Sequence, residues 1–273
     1  TSDNFLDIAN EEKVDVVSVV PAILQKLLEN NQNWIPHDNL KYFLTAAAPL
    51  RPDLLKLIIR AWHIKVVQGY GLTESTNFSC TLPIDLNSVD YEKIMFPYPS
   101  IGIAIPDVKV EIQGVDNEKE VGQVLIRAKS NLLGYWGQKL NGVETVETGD
   151  LGYFQEYNGN KHFYLKGRLK ELINRGGEKL YPLELEAEIR SLGMNESFQI
   201  FPIPDTIMGE EIGLATLKSF DFSILEKIPV YRKPKIIYHV DKFFTTSTGK
   251  IQRRLLSEYC TSGKAKIIWK YEY

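Results

Sequence analysis

The first 70 residues alternate between hydrophobic patterns of the strand type and of the helix type. The β-branched run VDVVSVV (14–20) predicts a strand, and PAILQKLLENN, which begins with Pro21, predicts a helix. A second strand is predicted at 41–49, a second helix at 51–62 and a third strand at 64–68. The order βαβαβ predicts right-handed crossovers and a parallel sheet, with ligands beyond the carboxyl ends of its strands.

The pattern changes to short strands from about residue 100. DVKVEIQG, GQVLIRA, GYFQEY and KHFYLKG each predict a strand, and Asn158-Gly159 between the last two is suited to a tight hairpin turn. This region predicts a small antiparallel sheet or barrel. A polar, glycine-containing stretch follows, and a helix is predicted from about Pro182 to Leu192.

We therefore expect a fold of the class α/β plus α+β. Residues 1–87 form a parallel βαβ region, residues 88–169 a small antiparallel β subdomain, and residues 170–273 a separate α+β domain. Three parallel strands make a small sheet with unpaired outer edges, which native proteins normally cover. The first sheet is therefore predicted to be incomplete.

Composition narrows the class of protein. The chain has 273 residues, of which 44% are hydrophobic, and 32 basic residues against 35 acidic residues give a formal charge of -3. That balance offers no overall attraction to nucleic acid or to an anionic membrane, and no apolar run approaches the roughly 18 residues of a membrane span. Cys80 and Cys260 lack metal-ligand spacing and fit a reducing compartment. We expect a cytoplasmic protein with no nucleic-acid partner.

The stretch FTTSTGKI (244–251) resembles the end of a phosphate-binding loop. A Walker motif needs a glycine five residues before the glycine of the GK pair and a Ser or Thr directly after the lysine. Phe244 and Ile251 occupy those two positions, so the stretch is not a Walker motif. Lys250 needs another explanation, and the first lysine of a solvated basic helix face is one alternative.

The segment QGYGLTE (68–74) is a candidate nucleotide site because it follows the third predicted strand. Gly69 and Gly71 allow backbone to approach a ligand, and Tyr70 offers a flat face to a base. Thr73 can donate to a phosphate oxygen and Glu74 can ligate Mg²⁺. A strand-to-loop turn with an exposed acid explains the same residues.

Three further positions are candidates, each with an ordinary structural alternative. Asp150 could accept both hydroxyls of a ribose or form an Asx turn. Arg168 could reach a ribose or phosphate or lie on the surface. The pair Gly176-Gly177, which follows Arg175 in the sequence, could let a ligand approach the backbone or form a plain turn.

These segments together resemble the adenylate-forming superfamily, which includes acyl-CoA and aryl-CoA synthetases, adenylation domains of peptide synthetases, and luciferases. The matching segments run across nearly the whole chain in the family's order. They are TAAAPL (45–50), QGYGLTE (68–74), PSIGIAIPDVKV (99–110), GYW (134–136), TGDLG (148–152), GRLKELINRGGEKLYPLELE (167–186) and STGKIQRR (247–254).

The resemblance implies a role for each candidate. Tyr70 would stack on adenine beside the backbone of Ala46, Ala47 and Ala48, with Thr73 at the phosphates and Glu74 at Mg²⁺. Asp150 and Arg168 would bind the ribose, Lys170 would be the hinge of a mobile C-terminal lid, and Lys250 would bridge the substrate carboxylate and the α-phosphate. The loop of Arg175, Gly176 and Gly177 would admit a pantetheine arm after the lid rotates.

The implied reaction has two steps. A carboxylic acid and ATP give an acyl-adenylate and pyrophosphate, and the thiol of CoA or of a carrier-protein phosphopantetheine then displaces AMP. Activation is needed because a free carboxylate is a poor electrophile. Lys250 would stabilise charge in the first transition state without belonging to a phosphate-wrapping loop.

One family motif, the Ser/Thr/Gly-rich phosphate loop TSGTTGxPK, is absent from these 273 residues. We expect it upstream of this chain, with the missing N-terminal half in the same or another polypeptide. Two alternatives to an incomplete ligase stay open: half of a split adenylation domain, and an AMP-binding or interaction module without turnover. An inert module has no chemical need for Glu74, Asp150 and Lys250. The sequence does not identify the carboxylic acid.

The 273-residue chain alone is expected to catalyse ATP–pyrophosphate exchange very weakly, because no loop holds the β- and γ-phosphates. Isotope exchange with a panel of carboxylic acids measures this. Robust exchange by the isolated chain would contradict the assignment of the phosphate loop to an upstream segment.

Overall fold

The computed structural model describes residues 4–137, 141–194, 196–246 and 251–271. The chain divides into two compact units, Thr1–Leu165 and Lys166–Tyr273. The domain boundary near Lys170 stays a prediction. In the described residues, no helix combines the length and the hydrophobicity needed to cross a membrane.

The first unit contains the predicted parallel βαβαβ sheet. Val17 pairs with Phe43, and Phe43 pairs with Val66, so the middle strand has a parallel neighbour on each side. The two predicted crossover helices lie between the strands in sequence, and a short helix precedes them. In chain order the elements are α1 (Phe5–Glu11), β1 (Val16–Ser18), α2 (Pro21–Asn30), β2 (Tyr42–Thr45), α3 (Pro52–Trp62) and β3 (Lys65–Tyr70).

The three predicted parallel strands are present, but two short antiparallel strands that were not predicted extend this sheet to five. β4 (Cys80–Thr81) pairs antiparallel with β3, and β5 (Ile103–Ala104) pairs antiparallel with β4. Strands of two residues are too short to show an alternating pattern. A helix, α4 (Ser88–Met95), lies between them in sequence, and its N-cap Asn87 accepts a hydrogen bond from the Asp90 amide at 2.9 Å. Among the described strands, β1 has no partner on its outer edge.

Apolar packing in the core of this unit anchors α3 on the parallel sheet. Four residues of α3 with helical spacing are buried: Leu54, Leu55, Ile58 and Trp62. The Trp62 ring packs on Phe43 of β2, with 5.4 Å between ring centroids. Because α3 is anchored on β2, the connection between their facing ends is short and its backbone stays at the carboxyl edge of the sheet.

The rest of the first unit is the predicted antiparallel sheet. Its strands lie in the order β6 (Val108–Ile112), β7 (Gly122–Ala128), β8 (Thr145–Tyr157) and β9 (Asn160–Arg168). In the described residues this sheet is open. Of the two predicted alternatives, a small antiparallel sheet or a barrel, the sheet is therefore correct. The Asn158-Gly159 hairpin is confirmed, since both residues have the positive φ, 50° and 74°, that a two-residue turn of this type requires.

The second unit has the expected α+β composition. Its elements are β10 (Ile173–Arg175), β11 (Glu178–Leu180), α5 (Pro182–Ser191), β12 (Phe198–Asp205), β13 (Gly209–Thr216), β14 (Ile236–His239), α6 (Arg253–Thr261) and β15 (Lys266–Lys270). The six strands form one sheet in the order β11-β10-β13-β14-β15, with β12 also paired to β13. The predicted helix near Pro182 is present as α5.

A buried arginine attaches α6 to the rest of this unit. The Arg253 side chain, 6% exposed, donates to both carboxylate oxygens of Glu186 at 2.5 and 3.1 Å and to one oxygen of Glu171 at 3.1 Å. It also donates to the side chain of Gln199 and the carbonyl of Ile200, at 2.9 and 2.8 Å. Arg253, the first of the two arginines in STGKIQRR, therefore has a structural role.

Replacing Arg253 by Met is expected to lower the free energy of unfolding by about 3–5 kcal/mol, because it leaves the buried Glu186 carboxylate without its cation. Arg254→Met is the matched control, since Arg254 is 92% exposed and pairs only at the surface with Glu258. Its effect should stay within about 0.5 kcal/mol. Urea unfolding measures both variants, and equal effects would contradict the assigned role.

Candidate active site

A bulge in β8 determines the direction of Asp150. The pairing of β7 with β8 shifts between Gln123 and Leu125, so that Val124 alone lies opposite residues 148–150. Gly149 sits in this bulge with φ of 70°, a conformation that other residues rarely adopt. A bulge interrupts the alternation of side chains and can turn one of them toward a site. The TGD segment thus lies inside a long strand. The sequence instead predicts a strand that begins only after it, with GYFQEY.

Hydrogen bonds hold the bulge in place. The Thr148 Oγ1 donates to the carbonyl of Val124 at 2.8 Å and accepts from the Asp150 amide at 3.0 Å. The threonine hydroxyl therefore takes the place of a backbone partner in the strand ladder. The Asp150 carboxylate is directed away from that ladder, toward Tyr70.

The structure brings together Tyr70 and Asp150, which are 80 residues apart in the chain. Tyr70 ends β3, and its hydroxyl donates to Asp150 Oδ2 at 2.7 Å. Burial and the negative charge of Asp150 raise the pKa of the Tyr70 hydroxyl well above its usual value. Tyr70 therefore remains a protonated donor near neutral pH.

Little of this pair faces solvent. Tyr70 is 8% exposed and Asp150 is 9% exposed, and the Tyr70 ring belongs to a core cluster with Ile101 and Phe154. A nucleotide would therefore meet a small remaining surface of the pair, or the two side chains would have to move. Their roles in adenine stacking and ribose binding stay predictions.

The glycines of QGYGLTE have a packing role that the sequence does not reveal. A Cβ on Gly69 would lie 1.8 Å from the ring of Phe78, and one on Gly71 would lie 1.3 Å from the Asn77 carbonyl oxygen. The chain returns directly over this strand end, and the Ser79 amide donates to the Tyr70 carbonyl at 2.7 Å. Gly71 is thus required by the neighbouring backbone whether or not a ligand approaches it, whereas a side chain at position 69 would displace the Phe78 ring.

The catalytic candidates Thr73 and Glu74 lie in a 3-10 turn, Thr73–Ser75, directly after β3. Thr73 is exposed and Glu74 is half-buried. Glu74 Oε1 accepts a hydrogen bond from the hydroxyl of Tyr135 at 3.1 Å. Tyr135 was not among the predicted site residues, although it belongs to the GYW segment that carries part of the family resemblance.

The surroundings of Glu74 fit a metal held together with a nucleotide. In the part of the chain that the structure describes, no group of three or more His, Cys, Asp or Glu side chains could hold a metal ion alone. Mg²⁺ in nucleotide sites is usually held by one or two carboxylates with substrate phosphates and water. A single half-buried carboxylate is consistent with that arrangement.

The alanines of TAAAPL lie at the same sheet edge as this turn. Ala46, Ala47 and Ala48 directly follow β2. Because β2 runs parallel to β3, both strands end at the same edge of the sheet. Ala47 and Ala48 are exposed, and Ala47 has φ of 70°. The sequence prediction that these backbones and the Tyr70 turn share one edge is consistent with this topology.

The remaining candidates belong to the second unit. Arg168 ends β9, and Lys170 is exposed in a 3-10 turn, Leu169–Glu171. Gly176 and Gly177 form the turn between β10 and β11, with φ of 57° and 93°.

Arg175 forms a two-point ion pair with Glu211, at 2.6 and 3.1 Å, and the Glu211 side chain is only 1% exposed. This Arg175 guanidinium therefore balances a buried charge within its own unit.

Lys250 lies outside the described residues, so its predicted role stays a prediction. The residues that flank its segment are paired. Thr245 and Ile251 form an antiparallel bridge, and the Gln252 amide donates to the Phe244 carbonyl at 2.8 Å. The chain therefore enters and leaves this segment at one place, next to the start of α6.

The fold and the site together define a class of protein. A parallel sheet has at its carboxyl edge the backbone of 46–48 and the turn 68–74, and a bulged strand brings an aspartate to that turn. This is the arrangement expected of an adenylate-forming enzyme. Residues 1–136 match the model of the family described as AMP-binding enzyme. The matched region, residues 1–136, belongs to this family.

Curated relatives and solved structures agree with that membership. An oxalate–CoA ligase of Arabidopsis thaliana is 28% identical over 258 residues, covering 89% of this chain and 49% of that protein. A long-chain-fatty-acid–CoA ligase, FadD13, of Mycobacterium tuberculosis is 30% identical over 271 residues, covering 91% and 50%. The chain thus spans about half the length of the curated relatives it matches.

The fold is also found in the o-succinylbenzoate CoA synthetase MenE from Bacillus subtilis, solved in complex with the acyl-adenylate intermediate OSB-AMP. The TM-score is 0.78 at 22% sequence identity, and the match covers all of this chain and 55% of that one. At this identity the likeness establishes the shared fold.

A double-mutant cycle on Tyr70→Phe and Asp150→Asn is expected to give a coupling energy of about 1.5–3 kcal/mol in unfolding free energy. Each single variant already loses the buried hydrogen bond to the charged carboxylate, so the double variant does not lose it a second time. Urea unfolding of the wild type, the two single variants and the double variant measures it. Additive effects would show that the two side chains do not interact in solution.

Proposed function

We propose that the protein carrying this chain is an ATP-dependent acid–thiol ligase, of the acyl- or aryl-CoA synthetase type. It would activate a carboxylic acid as the acyl-adenylate and transfer the acyl group to a thiol. The single observation that supports this most directly is the 2.7 Å contact between Tyr70 of the QGYGLTE turn and Asp150 of the β8 bulge. Two segments that resemble nucleotide-binding motifs of this family meet at one sheet edge.

In this proposal the first unit binds the nucleoside part of the substrate ATP. The Asp150 carboxylate accepts the ribose hydroxyls, and the backbone of Ala46–Ala48 with Tyr70 borders the base. Thr73, which is exposed, donates to phosphate oxygen. Glu74 would hold Mg²⁺, which supplies charge neutralisation at the phosphates when bound.

The second unit contributes through residues whose roles rest on the sequence. Lys250 would stabilise the negative charge that develops between the carboxylate oxygen and the α-phosphate. Arg168 would bind the ribose, Lys170 would act as the hinge, and the turn formed by Gly176 and Gly177 would border the pantetheine arm. The ion pair with Glu211 gives Arg175 a structural role in the same turn.

The acceptor and the carboxylic acid are the finer parts of the proposal. The relatives named above include ligases for oxalate and for long-chain fatty acids, and both names specify CoA as the acceptor. This supports CoA over a carrier-protein phosphopantetheine. Because the two named acids differ greatly in size and polarity, the acid used by this protein needs a direct test. The cytoplasm stays the expected compartment.

The test uses ATP–pyrophosphate exchange in a preparation that also supplies the Ser/Thr/Gly-rich phosphate loop. One or more acids of a broad panel should support exchange, and Lys250→Ala should lower the rate about 10²-fold or more, as expected when a group that stabilises the transition state is removed. Lys242→Ala is the matched control, because Lys242 is an exposed lysine in the same region of the chain.

Three outcomes separate the candidate functions. Exchange that depends on Lys250 supports a ligase, and transfer to CoA or to a carrier protein then identifies the acceptor. AMP binding without exchange for any acid would favour the interaction module. An unchanged rate in Lys250→Ala would remove the proposed role of that lysine.

A further inference from the structure

We propose that Tyr135 is a positioning residue for Glu74, holding its carboxylate in the orientation needed to bind a metal–nucleotide complex. The inference deepens the proposed function and depends on it for the role of Glu74. It begins from a contact between two segments 61 residues apart, in which the Tyr135 hydroxyl donates to Glu74 Oε1 at 3.1 Å. A carboxylate has two oxygens, so this bond leaves the other oxygen to accept a ligand.

The contact belongs to a larger attachment between the two segments. The Leu132 amide donates to the Glu74 carbonyl at 2.8 Å, and Thr76 Oγ1 donates to the Ser130 carbonyl at 2.7 Å. Ser130 Oγ also donates to the carbonyl of Ser75, at 3.3 Å. The backbone on both sides of Glu74 is therefore fixed by the 130–135 loop. Tyr135 is the member of this set that acts on the side chain itself.

The loop that presents Tyr135 is anchored at its base. Asn131 is 8% exposed, and its Nδ2 donates to the carbonyls of Ile126 and Glu144, both at 3.1 Å. Those carbonyls belong to β7 and to the residue just before β8, so one amide connects the two strands that the loop joins. The Val143 amide closes the loop further by donating to the Leu132 carbonyl at 3.0 Å. Tyr135 thus extends from a loop with a fixed base.

The electrostatics favour a stable donor. The Tyr135 hydroxyl donates to a carboxylate, and a hydrogen bond of this kind is charge-assisted and stronger than one between neutral groups. A glutamate held by such a bond loses less rotamer freedom when it binds a ligand, because part of that freedom is already lost.

Tyr135 is 55% exposed, so a surface hydrogen bond without functional effect is the alternative. The two cases differ in what Tyr135→Phe changes. A positioning residue affects only the part of ATP affinity that depends on the metal and on Glu74. A residue that merely stabilises the fold affects ATP affinity with and without metal.

The experiment measures ATP affinity by calorimetry, once with Mn²⁺ and once with EDTA, in the preparation that also supplies the Ser/Thr/Gly-rich phosphate loop. Tyr135→Phe is expected to lower the affinity with Mn²⁺ about three- to tenfold, as for loss of one hydrogen bond, and to leave the affinity in EDTA unchanged. In a Glu74→Gln background the same substitution should cause no further loss. Tyr231→Phe is the matched control, because Tyr231 is similarly exposed, at 50%.

The results separate this inference from the proposed function. If the wild-type chain binds ATP more tightly with Mn²⁺ but Tyr135→Phe does not reduce that gain, only the inference on Tyr135 fails. An equal loss in EDTA, or the same loss in the Glu74→Gln background, also overturns it. If the wild type binds no ATP under either condition, the proposed function fails first, and the role of Tyr135 fails with it.

Discussion

The candidate site depends on one constraint in the backbone, the bulge in β8. A regular strand would alternate its side chains and would fix the direction of Asp150 by the core packing of its neighbours alone. Because residues 148–150 lie opposite the single residue Val124, the alternation of side chains is interrupted there, while the strand stays paired with β7 on both sides of the bulge. Thr148 replaces the missing ladder partner, and the carboxylate reaches the tyrosine at the end of β3.

The other half of the site follows from the packing of the parallel sheet. α3 packs on β2 through Trp62 and Phe43, and β2 pairs in parallel with β3, so both strands end at the same edge. The turn after β3 is fixed by the return of the chain over Gly69 and Gly71 and by its hydrogen bonds to the 130–135 loop. The polar residues of this edge are thus held by the two sheets of the first unit.

The hydrophobic pattern predicts the regular part of this fold and misses the short part. β1, β2, β3, α2 and α3 were predictable because their apolar and polar residues follow the pattern of a strand or of a helix over enough positions to be recognised. β4 and β5 have two residues each, and their place in the sheet depends on pairing with distant strands. Such pairing leaves no local signal. The bulge was missed for the same reason, since Gly149 looks like an ordinary turn glycine until its partner strand is known.

Residue chemistry and family resemblance agree on Tyr70, Glu74 and Asp150 as candidates, and the structure brings Tyr70 and Asp150 into contact. Tyr135 was missed because its partner lies 61 residues away, and a tyrosine alone carries no sign of what it contacts. The glycines of the QGYGLTE turn were explained by ligand approach, whereas the backbone of Asn77 already requires Gly71 and the Phe78 ring packs against Gly69. Spacing along the chain therefore identifies candidates, and only the fold assigns their contacts.

We propose that the turn after β3 and the aspartate of the β8 bulge bind one nucleotide together. A crystal structure of the protein soaked with AMP would test this proposal. We expect AMP at the carboxyl edge of β2 and β3, with its ribose hydroxyls within hydrogen-bonding distance of the Asp150 carboxylate and its base beside Tyr70 and Ala46–Ala48. AMP bound at another surface, with this edge empty at saturating nucleotide, would contradict it.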